Sequence, residues 1–94
     1  MKSRVTIGII GEYDGGKPSH AATVAAIGHA AEALAMESQI IWQPTPSLVG
    51  PDGLAALAEA DSIWASPGSP YESFEGALAG IRLARERGYP FFAT

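Results

Sequence analysis

Six residues in the second half of the chain, Ser66-Pro-Gly-Ser-Pro-Tyr71, have the types and spacing of a loop that could bind an oxyanion. They follow a predicted buried strand, and a glycine at the carboxyl end of a strand, here Gly68, can present its backbone N–H to a bound carbonyl. The same residues also fit an ordinary turn into a helix. In that turn Ser69 is the N-cap, Pro70 takes the first helical position and Glu72 completes a capping box. The spacing favours the turn and leaves the oxyanion loop as the alternative.

A second glycine-rich stretch, Gly11-Glu-Tyr-Asp-Gly-Gly-Lys17, has the spacing of a phosphate-binding loop. The next residue is Pro18 rather than the serine or threonine that would hold magnesium, and proline also removes a backbone donor. The segment Gly8-Ile-Ile-Gly11 lacks the third glycine of a dinucleotide-binding fingerprint. We interpret the stretch as a loop between a strand and a helix, and keep a small nucleotide-binding α/β protein as an alternative.

Histidines and acidic residues offer no catalytic cluster. His20 and His29 lie on one predicted helix and point to nearly opposite sides, so they cannot share a metal or a proton. We expect His20 to be solvated and His29 to lie on the flank. The acids Glu72, Glu75 and Glu86 are expected to be charges on a helix surface. The chain has no cysteine, which excludes disulfides and thiol chemistry from these residues, and no metal or cofactor is expected.

The length and net charge of the chain further narrow the classes of protein and partner that the sequence allows. The 94 residues predict a single domain, 1–94, with a modest core. The net charge is -4 and only six residues are lysine or arginine, which argues against nucleic acid or an anionic membrane as the main partner. The apolar run near Met1 is too short for a signal peptide or a membrane span. We therefore expect a cytoplasmic protein.

The predicted elements alternate between strand and helix. Four apolar segments predict strands: Val5–Ile10, Ser38–Gln43, Ser62–Ser66 and Pro90–Ala93. Three segments between them predict helices: Ser19–Ala35, Gly53–Ala60 and a third helix before Gly88. This alternation predicts right-handed crossovers and a parallel sheet with helices on both faces, which is a three-layer, flavodoxin-like α/β fold.

The sequence also predicts the caps of the helices and the buried faces of the first and third helices. Ser19 and Asp52 are expected to cap the first and second helices, and Gly88 to end the third. The first helix is expected to bury an apolar stripe of Val24, Ile27, Ala31 and Leu34. The third is expected to bury Phe74, Leu78, Ile81 and Ala84.

Taken in order, these segments resemble the glutamine amidotransferase domain of CTP synthase, a class I amidotransferase. The first strand and its loop are similar to the family's Gly-Lys-Tyr segment, with Glu12 in place of the lysine. Four later segments resemble the family's second strand, its Pro-Gly-Gly-Phe-Gly loop, its arginine-rich helix and the strand before its nucleophile: Ile40–Trp42, Asp61–Gly68, Ile81–Glu86 and Tyr89–Phe92. The resemblance implies a class I amidotransferase-like fold that is covered only in part.

The resemblance also implies roles for single residues. Gly68 matches the glycine whose backbone N–H helps to form the oxyanion hole. Ser69 and Pro70 match the glycine and phenylalanine near bound glutamine, and Tyr71 stands for the last glycine in a segment about one residue shorter. A Ser-Pro pair has fewer backbone conformations and one fewer N–H than Gly-Phe. Glutamine is the partner that these positions imply.

The C-terminal residues Ala93-Thr94 stand where the family has the two residues before its nucleophile, and its histidine and glutamate come later still. The resemblance therefore implies a parent that releases ammonia from glutamine, in pyrimidine nucleotide biosynthesis, and a 94-residue chain that is inactive by itself. Since nothing before Met1 indicates a synthase domain, the parent is expected to be a stand-alone relative with an undetermined acceptor.

Three causes could end the sequence one residue before the nucleophile: a chosen cut, a chance nonsense mutation, or a UGA codon read as selenocysteine. We expect the third, because a selenol is a cysteine analogue of lower pKa and a chance stop has no reason to fall there. Sequencing the gene past the Thr94 codon tests this.

A further alternative is a non-enzymatic, flavodoxin-like interaction module. Whether the chain is a truncated amidotransferase or an interaction module, we expect a homo-oligomer formed through the edge of the C-terminal strand, Pro90–Thr94.

Overall fold

The computed structural model describes residues 3–13, 16–66 and 71–93. Along the chain, the elements are β1 Ser3–Ile10, α1 Pro18–Ala33, β2 Met36–Gln43, a 3-10 helix Thr45–Val49, α2 Pro51–Ala58, β3 Ser62–Ala65, α3 Phe74–Glu86 and β4 Phe91–Ala93. The predicted alternation is confirmed. The first two strands each begin two residues earlier than predicted, and the predicted loop after β2 contains the 3-10 helix.

The four strands form one parallel sheet in the order β2-β1-β3-β4. Helix α1 packs on one face of this sheet, whereas α2, α3 and the 3-10 helix pack on the other. The arrangement is the predicted three-layer α/β fold with parallel strands. Because all strands run in the same direction, the loops that follow β1, β2 and β3 emerge at one edge of the sheet.

The main core lies under α2 and α3. Alternate residues of β1 point to this side, where Gly8 lies against Leu57 and Ile10 lies against Gly80 of α3. The core consists of fully buried apolar side chains from strands, helices and the 3-10 segment: Ile10, Leu48, Leu57, Ile63, Ala77 and Ala84. This packing fixes α3 against the end of β1.

The predicted inner face of α3 is wrong at two positions. Phe74 is 73% exposed and Leu78 is 43% exposed, whereas the small residues Gly76 and Gly80 face inward. A Cβ atom at Gly76 would overlap the backbone carbonyl of Thr45, and one at Gly80 would come within 2.8 Å of Ile10 Cδ1. Helix α3 approaches its neighbours too closely for large side chains, so its larger apolar residues turn outward.

The starts of the helices also differ from prediction. Helix α3 is capped by Ser73, whose hydroxyl accepts a bond from the N–H of Gly76 at 3.0 Å, so the predicted capping box around Glu72 does not form its start. Helix α1 has Lys17 at its N-cap rather than Ser19, and α2 has Gly50 rather than Asp52, in both cases with proline next. Neither N-cap side chain makes a capping hydrogen bond, and proline at the first helical position removes one of the N–H groups that would need a partner.

The predicted end of α3 agrees with the structure, and the predicted buried stripe of α1 agrees in part. Gly88 has φ +69° directly after α3, which agrees with its predicted role at the end of this helix. In α1, Ile27 and Ala31 of the predicted stripe are buried, but Leu34 is 69% exposed.

No helix in the described ranges is long and apolar enough to cross a membrane.

Candidate functional site

The candidate site is the edge of the sheet where β1, β2 and β3 end. There Gly11 follows β1 and Ser66 follows β3, and the Ser66 N–H donates to the carbonyl of Ile10 at 3.1 Å. The Gly11 N–H donates to the carbonyl of Gln43 at the end of β2, at 3.0 Å. These bonds bring three loops together at one place, which is the usual position of a binding site in a parallel sheet.

Gly11 cannot be replaced at this junction without a rearrangement. Its φ is +153°, and a Cβ atom would overlap the hydroxyl of Ser66, which is itself buried. Only glycine combines this backbone conformation with such a close approach. Gly11 therefore lets β1 and β3 end side by side.

A short hydrogen-bond chain joins the three loops. The Glu12 carboxylate accepts from both the backbone N–H of Thr45, at 2.7 Å, and the Thr45 hydroxyl. The Thr45 hydroxyl oxygen in turn accepts from the backbone N–H of Ser73 at 2.8 Å. Thr45 is completely buried, so each of these bonds satisfies a group that water cannot reach.

The chain of bonds continues into α3, because the Ser73 hydroxyl caps that helix through Gly76. Glu12 after β1 is thus connected through Thr45 after β2 to the first turn of α3. The position of Glu12 is the one at which the resembling family has lysine. A lysine ammonium carries donors only and could not accept from the Thr45 N–H, so this arrangement requires an acceptor oxygen at position 12.

Tyr71 closes the segment between β3 and α3. Its hydroxyl donates to the backbone carbonyl of Ser66 at 2.8 Å, which ties the two ends of the intervening loop together. Partial burial, and then the negative charge of Glu12, raise the pKa of the Tyr71 hydroxyl above its ordinary value. The hydroxyl therefore stays protonated and keeps donating to Ser66.

The sequence-predicted site residues Gly68, Ser69 and Pro70 lie outside the described residues, as does Thr94. The structure describes their surroundings: Ser66 before the loop and Tyr71 after it are each held by the bonds above. These anchors fix where the loop leaves the sheet and where it returns.

Strand β4 brings a second chain segment to the same edge. Ala93 is paired with Ala65 in the β3–β4 register, so these two strands reach the edge side by side. Whatever follows Ala93 in a parallel sheet emerges next to the loop between β3 and α3. The segment after β3 and the segment after β4, which the sequence analysis both identified, therefore leave the sheet at neighbouring points.

The prediction for His20 is wrong. It is 2% exposed, and its ring lies 5.0 Å from Trp42 and 6.2 Å from Tyr13, measured between ring centroids. Trp42 and Tyr13 are themselves 4.9 Å apart. Near its N-terminus α1 lies against β2 and the loop after β1, so a polar residue of the first turn is buried among aromatic rings. His29 is exposed, as expected for the flank of the helix.

Sequence reasoning missed the bonds between Glu12, Thr45 and Ser73. The replacement of lysine by Glu12 and the glycines within α3 were visible signals. Glycine inside a helix often indicates that another backbone approaches closely. The partner, Thr45, could not be read from the sequence because it lies 33 residues from Glu12.

Comparison with known proteins points to one kind of domain. No family model matches the chain. CTP synthases of Staphylococcus aureus strains JH9 and Newman are each 27% identical over 92 residues, which are 98% of this chain and 17% of the relatives' length. A solved structure, the Trypanosoma brucei CTP synthase glutaminase domain with bound acivicin, superposes with a TM-score of 0.83 and 26% identity. The match covers 95% of this chain and 35% of that one.

The fold and these matches make the chain similar to part of a glutamine amidotransferase domain. Within that class it is similar to the glutaminase domain of CTP synthase, and it spans about a sixth of the curated relatives and about a third of the solved domain. The resemblance drawn from the sequence and the predicted α/β fold are confirmed.

Proposed function

We propose that the chain forms the first part of the glutamine site of a CTP-synthase-type amidotransferase domain. The complete domain hydrolyses glutamine and passes ammonia to an acceptor, which in the matched family is the pyrimidine nucleotide. The observation that carries the proposal is the match along 95% of the chain to a glutaminase domain whose structure contains acivicin. The joined loops at the carboxyl edge support it, because they surround the place where such a site is built.

Within this proposal, Gly68 supplies an oxyanion-hole N–H, and Ser69 and Pro70 lie next to the substrate. Two findings support these roles. Ser66 and Tyr71 hold both ends of the loop that contains them. The neighbouring end of β4 leads toward the nucleophile in the resembling family. A backbone N–H that is held rigidly near a developing oxyanion stabilises the transition state.

The 94 residues by themselves are proposed to be inactive. They include no cysteine, and the resembling family's nucleophile, histidine and glutamate have no counterpart among them. These three groups act as a unit, so an oxyanion donor alone gives no turnover of glutamine. The location we propose is the cytoplasm.

The test uses ammonia release from glutamine. We expect the purified chain to release no more ammonia than a buffer blank. A chimera in which residues 1–94 replace the matched third of the Trypanosoma glutaminase domain is expected to release ammonia. In that chimera Gly68→Pro removes the N–H and should lower kcat about 100-fold, whereas Gly68→Ala keeps the N–H and should lower it far less. Activity of the chain alone, or equal effects of the two substitutions, would contradict the proposal.

A second candidate is the interaction module, which the exposed apolar residues of β4 favour: Phe91 is 40% exposed and Phe92 is 59% exposed. The outer edge of β4 is unpaired in the described sheet, whose order ends there. An apolar strand edge pairs readily with another chain, so we propose that the isolated chain forms homo-oligomers through it. A thermal shift of the chain with glutamine or acivicin separates the candidates, since the module predicts none.

A further inference from the structure

The outer face of helix α3 carries apolar side chains that the described part of the chain leaves exposed. Phe74 is 73% exposed and Leu78 is 43% exposed, and the two lie one turn apart on the same side of the helix. The core residues Ala77 and Ala84 lie on the opposite side of α3. This outer face is therefore distinct from the candidate site and from the edge of β4.

Charged residues border the apolar pair in a definite order along the helix. Glu75 lies in the first turn, whereas Arg82 and Arg85 lie in the second half, and all three are exposed. At about 100° per residue, Glu75 and Arg82 fall on one flank of Leu78, and Arg85 falls in line with Phe74. The outer face is thus acidic toward its start, apolar along its length and basic toward its end.

These charges have no ion pairs within one copy of the chain. Glu75 and Arg82 are seven residues apart, about 10 Å along the axis, which is too far for direct contact. Within the described ranges, Arg82 and Arg85 form no ion pair, and Glu86, four residues after Arg82, is no exception. The charges of this face are therefore available to another molecule.

A second α3 that runs in the opposite direction is complementary to this face. In a pair of copies related by a two-fold axis, a residue before the axis lies opposite the residue equally far after it. With the axis next to Leu78, Glu75 of each copy lies opposite Arg82 of the other. Phe74 of each copy lies near the level of Arg85 of the other, where a guanidinium can cover the ring. The two Leu78 side chains meet at the axis.

We propose that the outer face of α3 binds a second copy of the chain through the same face of its own α3, with the two helices antiparallel. The helix has 13 residues and is about 20 Å long. A contact of this length buries less than the roughly 1,200 Å² at the lower limit of stable interfaces. The pair is therefore weak, and its charges decide the direction in which the helices meet.

The order of the charges disfavours other occupants. A parallel copy would place Glu75 beside Glu75 and Arg82 beside Arg82, and both contacts are repulsive. A nucleic acid would be repelled by Glu75. An apolar membrane surface would remove both signs of charge from water without pairing them. The antiparallel copy alone among these pairs every charge and covers the apolar residues.

The test measures dimer formation by sedimentation equilibrium, in a chain that carries Phe91→Lys so that β4 does not contribute. Glu75→Arg and Arg82→Glu each turn two attractive contacts into two repulsive ones, and each should weaken the dimer about 10- to 30-fold. Glu32→Arg makes the same change of net charge at an exposed position on α1 and should leave the dimer unchanged. Because the chain is acidic overall, Glu75→Arg would strengthen association if net charge alone governed it.

Mixing the two variants makes the test specific for the antiparallel pair. A copy with Glu75→Arg and a copy with Arg82→Glu have two opposite-charge contacts with each other, so the mixture should regain the wild-type dimer. The double variant Glu75→Arg/Arg82→Glu should regain it as a homodimer. A parallel arrangement predicts no recovery in the double variant. High salt should weaken all of these dimers, because the charges are exposed.

Several results would overturn the proposal. One is a chain with Phe91→Lys that stays monomeric at millimolar concentration, and another is a dimer that tolerates both single charge reversals. Failure of the mixture and of the double variant to recover would exclude the antiparallel pair. Leu78→Lys that leaves the isolated chain unchanged but destabilises the chimera with the Trypanosoma remainder would assign this face to another part of a glutaminase domain.

Discussion

Glu12 contributes a carboxylate at a position where the resembling family carries an ammonium group. Here it accepts two hydrogen bonds from the buried Thr45, and the Thr45 hydroxyl accepts from Ser73. One side chain therefore connects the loops after β1 and β2 to the start of α3. The same carboxylate contributes to the raised pKa of Tyr71, so two residues near the candidate loop depend on one charge.

The first prediction concerns the acceptor atoms of Glu12. Glu12→Gln keeps a carbonyl oxygen for Thr45 and should lower the free energy of unfolding by about 1 kcal/mol. Glu12→Lys leaves the Thr45 N–H without an acceptor and should cost about 3 kcal/mol. Urea denaturation measures both values. If the lysine variant is as stable as the glutamine variant, the carboxylate does not hold this junction.

The second prediction concerns pH. Because the pKa of Tyr71 is raised in the folded chain, folding favours its protonated form. Its contribution to stability is fully present below the unfolded pKa of about 10 and is lost as pH rises through the raised folded pKa. Tyr71→Phe has no ionisable group, so the stability difference between wild type and variant should shrink above pH about 10. A difference that is constant with pH, measured by urea denaturation, would refute this.

At the scale of elements, small residues decide how α3 is placed. Gly76 lies against the backbone of Thr45 and Gly80 lies against Ile10, so the helix axis comes close to the 3-10 helix and the sheet. The sequence predicted the existence of α3 from its periodicity. It gave the wrong inner face because large apolar residues are ordinarily buried, whereas here the close approach leaves no room for Phe74 and Leu78.

The third prediction uses two glycines in helices. Gly76→Ala places a methyl group on the Thr45 carbonyl and should destabilise the chain by about 3 kcal/mol. Gly28→Ala on α1 meets no atom within 4 Å and should instead stabilise it by about 0.5 to 1 kcal/mol. Thermal unfolding compares the two. Similar effects of both substitutions would show that the backbone contact at Gly76 is unimportant.

At the scale of the whole molecule, the two faces of the sheet are covered to different extents. Under α2 and α3 the core is fully buried. On the α1 side an apolar groove, lined in part by Trp64 and Phe92, and the edge of β4 leave apolar residues exposed. The matched relatives are longer, and the matched segment is a third of the solved glutaminase domain. The exposed apolar residues on this side are therefore the part of the described surface where a contact is expected.

The fourth prediction concerns self-association of the isolated chain through β4. Lysine on an edge strand opposes pairing with another chain, so Phe91→Lys should shift the chain toward monomer in light scattering. Val49→Lys, at a similarly exposed position on the 3-10 helix, should leave the oligomeric state unchanged. A wild-type chain that is already monomeric at high concentration would contradict the prediction.

The sequence by itself determined the alternation of strands and helices, the parallel α/β fold and the relation to glutaminase domains. Hydrophobic periodicity, turn residues and the order of short motifs are properties of nearby residues, so they can be read along the chain. Only the tertiary structure decided that Thr45 lies beneath Glu12, that His20 is buried among aromatic rings and that part of the α1 side of the sheet is left uncovered. These features depend on crossovers that bring distant segments together, and no local pattern records which side chains then meet.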